Sequence, residues 1–234
     1  MRKLFSIFIA ALFLLTAAKV DAQKIGVKTG INFSNIGFTG SESDLYSSAI
    51  AYRMASTYGG YINMKLVPLV SLQFEGNYDP KGMKFNAPPI ANGQFQGDFT
   101  YYEHYNYFTM PLLLKVNLIA FHLEAGPYLS LLLSAREVKK GKIQVPNPDG
   151  GWIEQFYNED NDLKLVTNKT DYGIAAGLGT TFNLGPVQLM AGARYNHGLS
   201  NLLKSPLTDP NGNVILDQKK NRNFTVYAGV ALGL

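Results

Sequence analysis

Histidine is the side chain best suited to proton transfer or metal binding near neutral pH, so the three histidines are the first candidates for chemistry. His104, His122 and His197 are spread along the chain, and none has the spacing of metal ligands. The sequence has no cysteine, which excludes thiol catalysis and zinc fingers, and it has no G-x-S-x-G, Walker-loop or HExxH motif. We therefore expect no catalytic, cofactor-binding or metal-binding residue, and we interpret the histidines as solvated or hydrogen-bonded side chains.

A second group of residues that could take part in chemistry consists of charged residues within otherwise apolar or glycine-rich stretches, namely Lys28, Glu75, Lys115, Glu124 and Arg194. Such charges could line a selective ion path, or they could pair with one another in a buried structural network. Which of the two interpretations applies depends on the secondary-structure elements that carry these charges.

Apolar and polar residues alternate along most of the chain, which is the period of a β-strand. In the first such stretch, Ile25, Val27 and Ile31 share one face while Lys28 and Asn32 share the other. Eight stretches of this kind predict eight strands, at residues 24–35, 56–66, 70–79, 107–116, 121–134, 171–182, 187–196 and 224–234.

The connections between these strands alternate in length. Strands two and three, four and five, and six and seven are joined by the short segments "VPL", "NLIA" and "NLGP". The other connections are long, near residues 36–49, 80–101, 136–169 and 202–221. Short turns at one end and long loops at the other are typical of outer-membrane barrels.

Two of the long connections contain hairpin signals. "KIQVPNPDGGWIEQF" (142–156) favours a hairpin that extends the strands on either side of it, and "SPLTDPNGNVILDQKK" (205–220) contains a turn at Asp209–Gly212. Functional residues concentrate on loops that a rigid scaffold carries, so Trp152, Phe156 and Tyr157 are candidate contact residues.

The N-terminal residues predict export. Arg2 and Lys3 precede an apolar stretch from Leu4 to Ala18, and Ala22 ends a small-residue cleavage pattern. We predict a signal peptide at 1–22 and one domain at 23–234. Beyond Gln23 no run of 18 apolar residues occurs, so a membrane location requires a closed barrel.

The positions of the charged residues predict which strand face points outward. All five lie on the polar face, which is also rich in glycine. An outward Arg or Lys at the membrane midplane would cost about 2–4 kcal/mol, whereas small residues inside a narrow barrel make room for large ones. We therefore predict an all-β fold, an eight-stranded antiparallel transmembrane up-and-down β-barrel with short periplasmic turns and long extracellular loops. Its lumen would be plugged by the paired charges.

Four stretches carry a resemblance to a known family: "GVKTGINFSN" (26–35), "YFTMPLLLK" (107–115), "EAGPYLSLLLSA" (124–135) and "ARYNHGLSN" (193–201). With them the chain resembles the PorT-like outer-membrane β-barrel domain proteins of Gram-negative bacteria. The resemblance implies an eight-stranded barrel. A few members take part in protein secretion across the outer membrane.

The C-terminal pattern Tyr227-x-Gly229-x-x-Leu232-x-Leu234 resembles the insertion signal of outer-membrane proteins, although that signal more often ends in Phe. The resemblance implies that the barrel assembly machinery recognises these residues. Outer-membrane lipid is the other expected partner, and a protein or ligand is expected at the extracellular loops. A net charge of +4 without a basic run gives no reason to expect nucleic acid.

The leading functional hypothesis is a binding, structural or surface-contact role through the extracellular loops. One alternative is an accessory component of outer-membrane secretion or transport. Another is a lipid-modifying enzyme or protease on a small barrel, which needs a Ser or Asp within reach of a His at one rim. His104 or His197 with Asp171 or Ser200 would be that combination.

Overall fold

The structure is a computed structural model that describes residues 23–41, 50–85, 97–119, 121–147 and 149–233. The predicted signal peptide at 1–22 and the C-terminal Leu234 lie outside the described residues. Within the described ranges, no helix is long and apolar enough to cross a bilayer.

The described chain is built from β-strands. They are β1 (Gln23–Thr39), β2 (Ile50–Ala51), β3 (Arg53–Val67), β4 (Val70–Phe85), β5 (Gly97–Asn117), β6 (His122–Pro146), β7 (Trp152–Asp162), β8 (Thr170–Leu184), β9 (Val187–Gly198), β10 (Leu207–Thr208), β11 (Val214–Leu216) and β12 (Gln218–Gly233).

Eight of the strands form a closed antiparallel ring in the order β4-β3-β1-β12-β9-β8-β6-β5, and β5 pairs with β4 again. The pairing of β1 with β12 runs from Lys24↔Gly233 to Thr39↔Gln218, so the first and last long strands lie side by side. Closing the ring removes the exposed strand edges that would otherwise pair with other chains. The prediction of eight antiparallel strands in up-and-down order is confirmed.

Three short connections lie at one end of the ring, which we call the short-turn end: residues 68–69, 118–121 and 185–186. At the opposite, long-loop end, the strands are longer than predicted. β4 continues to Phe85, β5 begins at Gly97 and β6 continues to Pro146. The prediction of long loops near residues 80–101 and 136–169 is therefore wrong for much of their length, because strand pairing extends well past the predicted ends.

Both predicted hairpins are present. β7 pairs with the far part of β6, from Arg136↔Asp162 to Pro146↔Trp152. β10 and β11 pair around a turn in which the Gly212 amide donates to the Asp209 carbonyl oxygen at 3.0 Å.

The two faces of the ring differ in polarity. Apolar side chains such as Val27, Leu178 and Phe182 lie on the outer surface and are 62%, 59% and 60% exposed. The interior side chains are buried and, over the half nearest the short turns, mostly polar. The alternation along each strand thus places apolar residues outside and charged residues inside.

Candidate functional site

An ion network fills the interior nearest the short turns. The guanidinium of Arg194 on β9 donates from Nη1 and Nη2 to the two oxygens of Glu75 on β4, both at 2.8 Å. Its Nε donates to Glu124 Oε1 on β6 at 2.7 Å. One arginine thereby joins two carboxylates carried by strands on different sides of the ring, which is the planar, fork-shaped recognition that arginine provides.

The two lysines lie around this centre. Lys28 Nζ donates to Glu75 Oε2, and Lys115 Nζ lies 3.9 Å from Glu124 Oε2. The five charged residues singled out in the sequence therefore meet in one place, and we call them the inner network. All five side chains are almost completely buried. With three positive and two negative groups, nearly every charge has a partner of opposite sign.

A second network, which the sequence did not reveal, lies further from the short turns. Lys81 Nζ is 3.0 Å from Asp171 Oδ2 and 3.6 Å from Asp79 Oδ2, and it donates to the Ser130 hydroxyl at 3.3 Å. The ring of Tyr128 lies 4.6 Å from the same ammonium group. The alternation Glu75, Asn77, Asp79, Lys81 is the sequence signal for this network, but Lys81 falls in the long loop predicted near residues 80–101.

A small cavity lies between the two networks. A cavity of about 20 Å³ touches Arg194 on one side and Asp79 on the other. A cavity needs roughly 10–15 Å³ to hold one water molecule, so this gap has room for about one.

The interior becomes apolar at the long-loop end. Ile36, Met83, Phe85 and Leu202 belong to a buried apolar cluster there. Next to it lies a cavity of about 400 Å³, which we call the cup. The cup is lined by Met83, Phe85, Tyr101, Glu103, Tyr105, Glu137, Lys139, Leu163, Val166, Thr167, Leu202, Leu203, Leu207, Leu216 and Lys219.

One buried ion pair and two tyrosines supply most of the polar groups of the cup. Lys219 Nζ on β12 donates to Glu103 Oε1 on β5 at 2.7 Å, and the Tyr105 hydroxyl donates to Glu103 Oε2 at 2.8 Å. The Tyr101 hydroxyl lies 2.7 Å from Glu103 and 2.8 Å from Glu137. Burial, and then the Glu103 carboxylate, raise the pKa of both tyrosines far above its ordinary value, so both remain neutral phenols.

The carboxyl group of Glu137 is held ionised beside these tyrosines. Burial alone would raise its pKa, but hydrogen bonds from Lys139 and Tyr101 outweigh burial, and the pKa lies below its ordinary value. The cup therefore combines apolar walls with a few fixed charges, which is the usual make-up of a small-molecule site.

The histidines do not assemble a catalytic site. His104 and His197 lie on the outer surface against the rings of Tyr102 and Tyr195. In the part of the chain that the structure describes, the Ser200 hydroxyl donates to Asp171 at 2.6 Å, and no hydrogen bond joins either residue to a histidine. The hypothesis that a histidine meets Asp171 or Ser200 is therefore wrong for this structure.

His122, the third histidine, is fully buried near the short turns. Its Nε2 lies 3.8 Å from Glu124 Oε2. This places it beside the inner network.

Residues 21–204 match the family model of the outer membrane protein beta-barrel domain. The chain belongs to this family. It is accordingly a protein of the bacterial outer membrane. No curated protein matches its sequence.

Several solved outer-membrane structures are similar to this family member over most of their length. Neisserial surface protein A has 13% identity, covers 90% of this chain and 97% of its own, and gives a TM-score of 0.32. Ail, the attachment invasion locus protein of Yersinia pestis, has 13% identity, coverages of 90% and 98%, and a TM-score of 0.34. AlkL has 10% identity, coverages of 93% and 93%, and a TM-score of 0.42. At such values the similarity carries no information about function.

In the β6–β7 hairpin of this outer membrane protein, β7 pairs only with β6 among the described strands. Trp152 and Phe156 on β7 are 53% and 74% exposed, and the backbone of Tyr157 lies in the same strand opposite Gly141. The charges of the hairpin pair across its strands, for example Lys142 with Glu154 at 3.0 Å. Trp152 and Phe156 thus lie exposed on a hairpin whose charges form ion pairs across its strands.

Proposed function

We propose that this outer membrane protein is a transmembrane β-barrel that works as a surface-contact protein, with its short turns in the periplasm and its long-loop end outside the cell. A strand needs about 9–11 residues to cross the hydrocarbon core. β8 has 15 residues and β6 has 25, so both have more residues than a crossing requires. The additional residues lie at the long-loop end. The exposed apolar residues around the ring support contact with lipid.

We further propose that the barrel is plugged rather than conducting. The inner network and the Lys81 network occupy successive levels of the interior, and the gap between them holds about one water molecule. Planar-bilayer recording of the purified protein should therefore show no stable large conductance. Porin-sized steps would contradict the plug.

The observation that carries the contact role is the exposure of Trp152 and Phe156 on the projecting hairpin. Large exposed aromatic side chains are enriched at the centres of protein interfaces and supply much of their binding energy. Neighbouring charges are already paired within the hairpin, so a partner would gain most from the aromatic groups. The partner we expect is a protein with a complementary apolar surface.

The test is retention of protein partners by the barrel held in lipid nanodiscs. The double variant Trp152→Ala and Phe156→Ala should lose a partner that the wild-type chain retains. The control is Tyr52→Ala, which removes an aromatic side chain of similar exposure, 63%, away from the hairpin. Equal retention by the double variant and the wild-type chain, or a loss with the control alone, would contradict the contact role.

A second proposal is an accessory role in protein secretion, which the resemblance of residues 107–115 and 193–201 to PorT-like proteins favours. Deletion of the gene should then cause a secretion defect that the hairpin double variant does not reproduce. A deletion strain with normal secretion would exclude this role.

We also propose that the barrel assembly machinery recognises the C-terminal strand through Tyr227, Gly229, Leu232 and Leu234. Of these, Tyr227 faces the interior and its hydroxyl donates to Glu124 at 3.0 Å, whereas Leu232 is 56% exposed on the outer surface. The pattern thus offers one side chain to the interior and one to lipid. A Leu232→Asp variant should accumulate unassembled in the periplasm.

A further inference from the structure

We propose that the cup at the long-loop end binds a small apolar molecule that carries one carboxylate group. Its volume is about 400 Å³, within the range of small-molecule sites, which is about 300–1,000 Å³. At roughly 30 Å³ for each water-sized group, this corresponds to about a dozen non-hydrogen atoms.

The walls of the cup favour an apolar body. The inner end of the cup is formed by almost completely buried side chains, those of Met83, Phe85, Leu202 and Leu216. At its edge, Val166 and Leu207 are 59% and 41% exposed. A ligand that covers Val166 and Leu207 removes their exposed apolar surface from water, which contributes about 25 cal/mol for each Å².

The polar groups of the cup select the headgroup. Both oxygens of Glu103 already accept hydrogen bonds, Oε1 from Lys219 and Oε2 from Tyr105. The ammonium group of Lys219 has three donors, and among the described residues it makes one hydrogen bond, to Glu103. Unused donor capacity therefore remains beside the cup, whereas the carboxylate oxygens of Glu103 and Glu137 already accept hydrogen bonds from neighbouring side chains.

A carboxylate fits this arrangement best because its oxygens accept charge-assisted hydrogen bonds from a lysine. An ammonium headgroup would face the Lys219 ammonium and would have to compete for Glu103. The proposal goes beyond surface contact, since neither Trp152 nor Phe156 lines the cup.

The experiment is a fluorine NMR titration of the full barrel in phosphatidylcholine nanodiscs with para-fluorophenylbutanoate, a water-soluble probe of about the right size. We expect a saturable shift with the barrel and none with empty nanodiscs. The matched cation, para-fluorophenylbutylammonium, should bind at least about tenfold more weakly, which corresponds to about 1.4 kcal/mol. Absence of saturable binding, or equal binding of the cation, would overturn the proposal.

Two neighbouring residues provide a matched pair of variants that locate the binding. Val166→Trp places a large side chain at the edge of the cup and should weaken probe binding about tenfold or more. Leu165→Trp adds the same side chain at a position that is 85% exposed and outside the cup lining, so it should leave binding unchanged. Equal effects of the two variants would place the probe elsewhere.

The headgroup contact is tested by a double variant, Glu103→Gln with Lys219→Gln, which removes both charges of the pair and leaves the net charge unchanged. Circular dichroism should first show that it retains the β-structure of the wild-type chain. If it does not, the Val166→Trp and Leu165→Trp variants test the proposal instead. The double variant should lose the preference for the carboxylate over the ammonium probe. An unchanged preference would overturn the assignment of Lys219.

The Trp152→Ala and Phe156→Ala variant should bind the probe normally, so failure of the contact role and failure of the cup can be told apart.

Discussion

Replacing Arg194 with methionine should lower the free energy of unfolding by about 3–5 kcal/mol, the usual range for breaking a buried ion pair. The guanidinium donates hydrogen bonds of 2.8, 2.8 and 2.7 Å to Glu75 and Glu124. Each hydrogen bond to a charged group contributes about 1.5–3 kcal/mol, so three would contribute about 4.5–9 kcal/mol. Lys28 and Lys115 remain beside the two carboxylates in the variant and recover part of this loss.

The assay is guanidinium-induced unfolding of the protein in phospholipid vesicles, followed by circular dichroism. Arg222→Met is the matched control, because Arg222 lies exposed on β12 and its loss should change stability by no more than about 0.5 kcal/mol. Adding Glu75→Gln to the Arg194 variant should cost less than the sum of the single changes, by about 0.5–3 kcal/mol. If the Arg194 and Arg222 variants unfold at the same denaturant concentration, the inner network does not stabilise the ring in the way argued above.

Two further predictions concern the long-loop end. Gly82 has a φ of 136°, and a Cβ there would lie 1.9 Å from the Glu103 carbonyl oxygen, so Gly82→Ala should cost about 1–3 kcal/mol in the same unfolding assay. Gly60→Ala, where the nearest atom would be 3.5 Å away, should cost less, and equal losses would contradict the strain at Gly82. Burial, and then the positive charge of Arg53, lower the pKa of His104 to about 4. His104 should therefore stay neutral at mildly acidic pH, and its contribution to stability, complete above about pH 6.5, should be lost as the pH falls through about 4. An NMR titration that gives an ordinary histidine pKa would refute this.

The parts of the strands nearest the short turns could be predicted from the sequence because one face of each is mainly apolar. Residues 171–182 and 187–196 alternate at most positions, and the structure places them in β8 and β9. The same alternation assigned the inner-network residues to the interior, since an outward charge in lipid is costly. The alternation did not predict which charged residues pair with each other. The strand that lies across from Arg194 depends on how the ring closes.

The far ends of the strands were missed for a local reason. Pro80 and Gly82 are loop signals, and they interrupt β4 just where its interior residues change from polar to apolar. In the structure Pro80 pairs with Asn106 and Gly82 with His104, so the ladder continues through both. Tertiary pairing outweighs local preference here, as it often does in sheets.

The cup could not be derived from any single stretch. Glu103 and Lys219 are 116 positions apart, and they meet because β5 and β12 lie on different sides of a closed ring. The chain segments that follow β7 and β9 then supply Val166 and Leu202. Charged pairs occupy the interior on the short-turn side of the cup. The apolar cup lies beyond them, at the end that the long strands extend. A variant that breaks the inner network should therefore lower stability without changing the ligand preference of the cup, whereas the double variant Glu103→Gln with Lys219→Gln should change that preference.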